Sequence, residues 1–89
     1  MAWQIEWTKE AIKDLSKLEQ KEAKAITKKI EAASNNPYNK FERLKGYEDY
    51  KLRSGNYRII CLLSHKTKTI IVEKIGHRKN IYKIFSKTR

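Results

Sequence analysis

Hydrophobic positions change their spacing several times along this chain. Trp3, Ile5 and Trp7 alternate with Gln4 and Glu6, the two-residue period of a strand with one buried face. Thr8 follows as a helix N-cap, and Ala11, Ile12, Leu15 and Leu18 then recur at helical spacing, with Glu10 and Asp14 near the positive N-terminal end. Ala23, Ile26, Ile30 and Ala33 repeat at three- and four-residue steps between lysines and glutamates, and Ser34-Asn35-Asn36-Pro37 supplies a stop. The pattern predicts two short amphipathic helices, joined near Glu19-Gln20, forming a hairpin laid on a sheet. Residues 38–46 read as a connector.

From Tyr47 onward β-branched and aromatic residues dominate, and they predict three strands at roughly 47–53, 57–64 and 69–75. Ser54-Gly55-Asn56 makes one tight connection and His65-Lys66-Thr67-Lys68 the other. The middle strand is apolar on both faces after Arg58, which predicts a central place in the sheet. Ile81, Ile84 and Phe85 in the segment Asn80–Lys87 recur at helical spacing, as a short helix or an ordered tail.

Length and charge narrow the picture. Eighty-nine residues make one domain, 1–89. No apolar run approaches the roughly 18–20 residues that span a bilayer, and the N-terminus lacks the pattern of a signal peptide, so a soluble cytoplasmic protein is expected. The single cysteine, Cys61, sits within the apolar run Ile59–Leu63 and is expected to be a small core residue. Residues 1–49 carry ten Lys/Arg against nine Asp/Glu, whereas residues 50–89 carry eleven against Glu73 alone. The second half should bind a polyanion.

Hairpin geometry gathers these charges. Across the loop at 65–68, position 58 falls opposite about 75; across the loop at 54–56, position 51 or 52 falls opposite 58. Lys51, Arg58 and the turn Gly76-His77-Arg78 are thus expected side by side at one end of three adjacent strands. The chain uses sixteen lysines and only five arginines, yet Arg58 and Arg78 both fall in this cluster. A planar guanidinium binds phosphate oxygens through two parallel bonds, which an ammonium cannot do.

The basic half offers no carboxylate set for a two-metal site, no Cys/His spacing for zinc and no Gly-rich nucleotide loop. Ser64 and His65 adjoin in a turn with no acid in sequence reach for a triad. What remains is phosphoryl chemistry by positioning and charge. RNA carries its own nucleophile, the ribose 2′-hydroxyl, so such a cluster could cleave RNA without a metal or other cofactor. Tyr82 could stack on a base or contribute its phenol to proton transfer, and packing the C-terminal segment onto the sheet suits it equally. His77 suits a phosphate or backbone contact.

The order and spacing of Leu44-Lys45-Gly46, Tyr50-Lys51-Leu52-Arg53, Asn56-Tyr57-Arg58-Ile59-Ile60 and Gly76-His77-Arg78-Lys79-Asn80-Ile81-Tyr82 resemble the RelE/ParE toxin superfamily over nearly the whole chain. The resemblance implies an α+β fold, with an N-terminal strand and helical hairpin packed on a twisted, mainly antiparallel four-stranded sheet. It implies a RelE-like toxin that cleaves mRNA in the ribosomal A site by 2′-hydroxyl attack, without metal. By position, Arg58 matches an arginine that contacts the scissile phosphate, and Arg78 one that steadies it. Lys51 matches a lysine of phosphate contact and proton transfer, and Tyr82 a tyrosine that stacks on the base. Asp49 stands where RelE proteins have a second lysine. Lys45, Arg53, His77 and Lys79 are further positions expected to contact RNA. The implied partners are the ribosome, mRNA and a RelB-like antitoxin in a hetero-oligomer. A ParE-like gyrase inhibitor without nuclease activity and an inactive RNA-binding module are the alternatives.

Overall fold

The computed structural model describes residues 2–44 and 48–81. The chain opens with strand β1, Gln4–Trp7, and helices α1, Lys9–Ser16, and α2, Gln20–Ala33. The short helix α3, Pro37–Lys40, and the two-residue strand β2, Glu42–Arg43, occupy the stretch expected to be plain connector. Strands β3, Tyr50–Ser54, β4, Tyr57–Ser64, and β5, Thr69–His77, complete a five-stranded sheet in the order β1-β5-β4-β3-β2. The architecture is the expected α+β hairpin on a sheet, with β4 in the centre and one edge strand more than expected. No helix among the described residues is long and apolar enough to cross a membrane.

Only β1 runs parallel to its neighbour, β5, and it pairs with that strand over Thr69–Val72 alone. Beyond Val72 the outer edge of β5 would be left bare. Helix α1 takes over there. The Thr8 side chain caps α1 by accepting from the Ala11 N–H, and its hydroxyl reaches the Val72 and Glu73 carbonyls at 3.0 and 3.1 Å. Asp14 then accepts from the Ile75 N–H at 3.1 Å. A cap residue and an acid in the second turn thereby fix the helix to the strand it covers.

The main core lies between the helices and one face of the sheet, where Ala11, Ile26, Ile30 and Ala33 meet Leu52, Ile59, Cys61, Ile70, Val72 and Ile75. Each fully buried isoleucine or valine contributes roughly 1.5–3 kcal/mol. Cys61 is wholly buried here, as expected; burial above all, and then Glu73 and Asp49, push its thiol above the ordinary range. A second, smaller cluster of Leu44, Ile60 and Ile81 covers part of the opposite face.

Two register details differ from expectation. The β3–β4 connection is a two-residue turn, because Ser54 still pairs with Tyr57 and Gly55 takes the left-handed conformation at φ 58°. Lys51 therefore faces Ile60, and Arg53, rather than Lys51 or Leu52, faces Arg58. Between β4 and β5 a bulge leaves Glu73 unmatched: Cys61 pairs with Val72, but Ile60 pairs with Lys74. Arg58 consequently faces Gly76 instead of residue 75, and β5 continues through Gly76 and His77, which were expected in a turn. Of the predicted C-terminal helix or tail, only Asn80 and Ile81 fall within the described residues.

Candidate functional site

Alternation along the strands sorts the basic residues onto faces. Tyr57 and Ile59 pack with the helix-side core, so Arg58 between them points to the other face. Residues directly opposite in an antiparallel pair share a face. One row of that face is therefore Arg53, Arg58 and Gly76, and the next is Glu42, Lys51, Ile60 and Lys74. The sheet thus presents two arginines side by side, with two lysines in the adjoining row.

Arg53 directly opposite Arg58 is a like-charge pair, an arrangement that costs stability in a sheet. No described carboxylate forms a salt bridge with either of them. Arg58 is half-buried, and its Nη1 donates to the Gly55 and Tyr57 carbonyls, both at 2.9 Å. Those bonds anchor the guanidinium over the turn, while no described residue accepts from its Nη2 or Nε. Gly55 thus serves the site twice, through its left-handed turn and its carbonyl. Lys51 lies 3.7 Å from Glu42 across the β2–β3 pair, its side chain 22% exposed.

The other predicted residues are placed as follows. Arg78 is exposed, and its backbone N–H donates to the Asn56 carbonyl at 2.7 Å, which docks it against the turn beside the arginine row. Lys79 is exposed in the same turn and donates its N–H to His77 Nδ1 at 3.2 Å. His77 does not join the cluster. It pairs with Tyr57 and meets that ring edge-on at 5.8 Å, on the helix side of the sheet. There the neighbouring Glu22 above all, then burial and the Glu19 charge, raise the pKa of the Tyr57 phenol. Lys45 and Tyr82 lie outside the described residues.

Asp49 is fully buried, so it belongs to the interior rather than to the cationic face. Ser64 accepts from Thr67 at 2.9 Å, and the His65 ring stacks on Tyr38, so these two side chains form no dyad. Lys74 is the residue that sequence reasoning missed. It is 7% exposed, stands in the Lys51 row, and is tied to Glu10 of α1. The signal was faint, a lysine two residues before Gly76 in a strand whose register depends on the bulge.

Gly76 shapes the end of the row. A Cβ there would lie 2.8 Å from Ile81 Cδ1 and 3.3 Å from Ile81 Cβ, so Ile81 rests on the bare glycine backbone. The segment carrying Arg78 and Lys79 is therefore held at both ends, by Asn56 and by the Ile81 seat.

Arranged this way, the face can hold an anion between the anchored Arg58 guanidinium and the exposed Arg53 side chain opposite it. Residues 5–82 match the family model described as ParE toxin of type II toxin-antitoxin system, parDE. The RelE1 protein of Methanocaldococcus jannaschii is 32% identical over 88 residues, covering 93% of this chain and 98% of its own. The solved RelB-RelE antitoxin-toxin complex of Methanococcus jannaschii matches with 32% identity and a TM-score of 0.70, over 90% of this chain and 98% of that one. A free-state RelE toxin variant of Escherichia coli matches with 25% identity and a TM-score of 0.77, over 97% of this chain and 93% of that one. By that family match, by these relatives and by its fold, the chain belongs to the RelE/ParE toxin superfamily.

Proposed function

We propose that this protein is a RelE-type toxin that cuts mRNA in the ribosomal A site. The observation that carries the reading is the Arg53–Arg58 pair, two arginines directly opposite on the sheet face away from the helices. In the proposed reaction the 2′-hydroxyl oxygen attacks the adjacent phosphorus and gives up its proton. The bond from phosphorus to the 5′-oxygen breaks, and that oxygen leaves with a proton, giving a 2′,3′-cyclic phosphate and a 5′-hydroxyl. Arg58 and Arg53 donate to the non-bridging oxygens, whose charge grows in the transition state. Arg78 steadies the phosphate from the turn, and Lys51 supplies a further positive charge and a site for proton transfer. Lys79 holds the flanking backbone, and resemblance assigns Tyr82 the base and Lys45 a further phosphate contact.

The reading places the protein in the cytoplasm, where ribosomes and mRNA are, and needs no cofactor. Because the Methanococcus jannaschii toxin was solved with RelB, we assign this chain a RelB-like antitoxin, acidic where it meets the cationic face. One observation favours a second reading, gyrase inhibition: the matching family model is described as a ParE toxin. The two separate in parallel assays with purified protein. Cleavage of mRNA on programmed ribosomes, with gyrase supercoiling unaffected, is the expected result. Inhibited supercoiling with intact mRNA would replace the nuclease reading by the ParE one.

A further inference from the structure

Beside the arginine row the sheet ends early. Strand β2 pairs only with Tyr50 and Lys51, so the outer edge of β3 from Leu52 onward has no strand partner among the described residues. A groove of about 350 Å³ follows that edge, between β3 and the ends of α2 and α3, at the low end of the roughly 300–1,000 Å³ of small-molecule sites. Its floor is apolar, from Ala32, Ala33 and Leu52, and its rim carries Lys29, Lys40 and Arg53. None of these three cations has an ion-pair partner among the described residues; the groove's one carboxylate, Glu42, faces Lys51. Asn39 adds a side-chain amide, a donor and acceptor able to meet a base edge.

We infer that this groove is a second RNA subsite, which holds a nucleotide flanking the scissile phosphate. The inference rests on the nuclease reading above and extends it along the strand. Arg53 belongs to both places: it faces Arg58 on the sheet and lines the groove. A single strand crossing the arginine row thus meets further cations on rounding the β3 edge. Lys29 and Lys40 take phosphate oxygens, while the base lies on the alanine and leucine floor. Separated cations around an apolar floor suit the alternating phosphates and bases of single-stranded RNA.

The test uses the full chain and fluorescein-labelled single-stranded RNAs of three, five and seven nucleotides, fully 2′-O-methylated so that they cannot be cleaved. Fluorescence anisotropy gives affinity against salt for the wild type and for Lys29→Gln/Lys40→Gln. Both lysines are exposed, so the variant should fold, and a circular-dichroism melt checks this. Longer RNAs should bind the wild type more tightly than the trimer, and the variant should lose that gain. With the longer RNAs its slope of log K against log salt should fall by about 1.4, the loss of two phosphate contacts to a single strand.

Equal length dependence and equal slopes in the two proteins would overturn the inference, as would no RNA binding by the wild type at low salt. If RNA binding is unchanged while affinity for a polyglutamate peptide drops, the groove belongs to an acidic protein segment and the inference also fails. Cleavage on programmed ribosomes is scored separately. Its absence in the wild type refutes the nuclease reading without deciding what the groove binds.

Discussion

Replacing Gly76 by alanine should loosen the end of the cationic face. The new Cβ would stand 2.8 Å from Ile81 Cδ1 and 3.3 Å from Ile81 Cβ, and Ile81 is 1% exposed in its cluster with Leu44 and Ile60. The terminal methyl can rotate away, but the Cβ contact requires the backbone of one segment to shift. Overpacking of this kind costs about 1–3 kcal/mol, against a gain of about 0.5–1 kcal/mol from removing a strand glycine. A net loss of up to about 2.5 kcal/mol corresponds to as much as about 10–20 °C in Tm for a domain of this size. Calorimetry of Gly76→Ala, Ile81→Val and the double variant isolates the contact. Ile81→Val removes the methyl that comes closest and should itself cost about 0.5–1.5 kcal/mol. In its background Gly76→Ala should cost at least about 0.5 kcal/mol less than in the wild type. An equal cost in both backgrounds would refute the idea that Ile81 sits on Gly76.

Arg53→Gln should raise the urea midpoint, by a stability gain of about 0.2–1 kcal/mol from relieving the like-charge pair, and should lower RNA cleavage. A destabilised variant would show that the two arginines do not repel each other as placed. Cys61 should resist iodoacetamide at pH 8.5 in the native protein and react fully in 6 M guanidinium, because its raised pKa keeps the thiol protonated; rapid native labelling would contradict its burial. The same shift gives a pH dependence. Its contribution to stability is fully present below the ordinary thiol value of 9.0 and is lost as pH rises above it. Tm should therefore fall at alkaline pH, less steeply in Cys61→Val, and parallel curves would remove Cys61 as the cause.

Periodicity was a good guide where one residue faced one environment. Ala11, Ile26, Ile30 and Ala33 are buried as their spacing predicts, Thr8 caps α1, and the doubly apolar β4 is the central strand. Register was harder, because it depends on events of one residue. A two-residue turn at Gly55-Asn56 exchanged Lys51 for Arg53 opposite Arg58, and the bulge at Glu73 moved Arg58 from residue 75 to Gly76. Neighbours in sequence can also part in space: His77 precedes Arg78 but turns to the helix side with Tyr57. Lys74 and the β3 groove were illegible for a related reason. Both are made by distant segments, Glu10 in one case and the ends of α2 and α3 in the other. Such meetings leave no periodic trace in the sequence.

The central claim is tested most directly by primer extension on programmed ribosomes, with wild-type protein beside the Arg58→Ala/Arg78→Ala variant. The account predicts a new stop within the A-site codon for the wild type and none for the variant. A folded wild-type protein that leaves the mRNA intact, or a variant that still cuts it, would contradict the account.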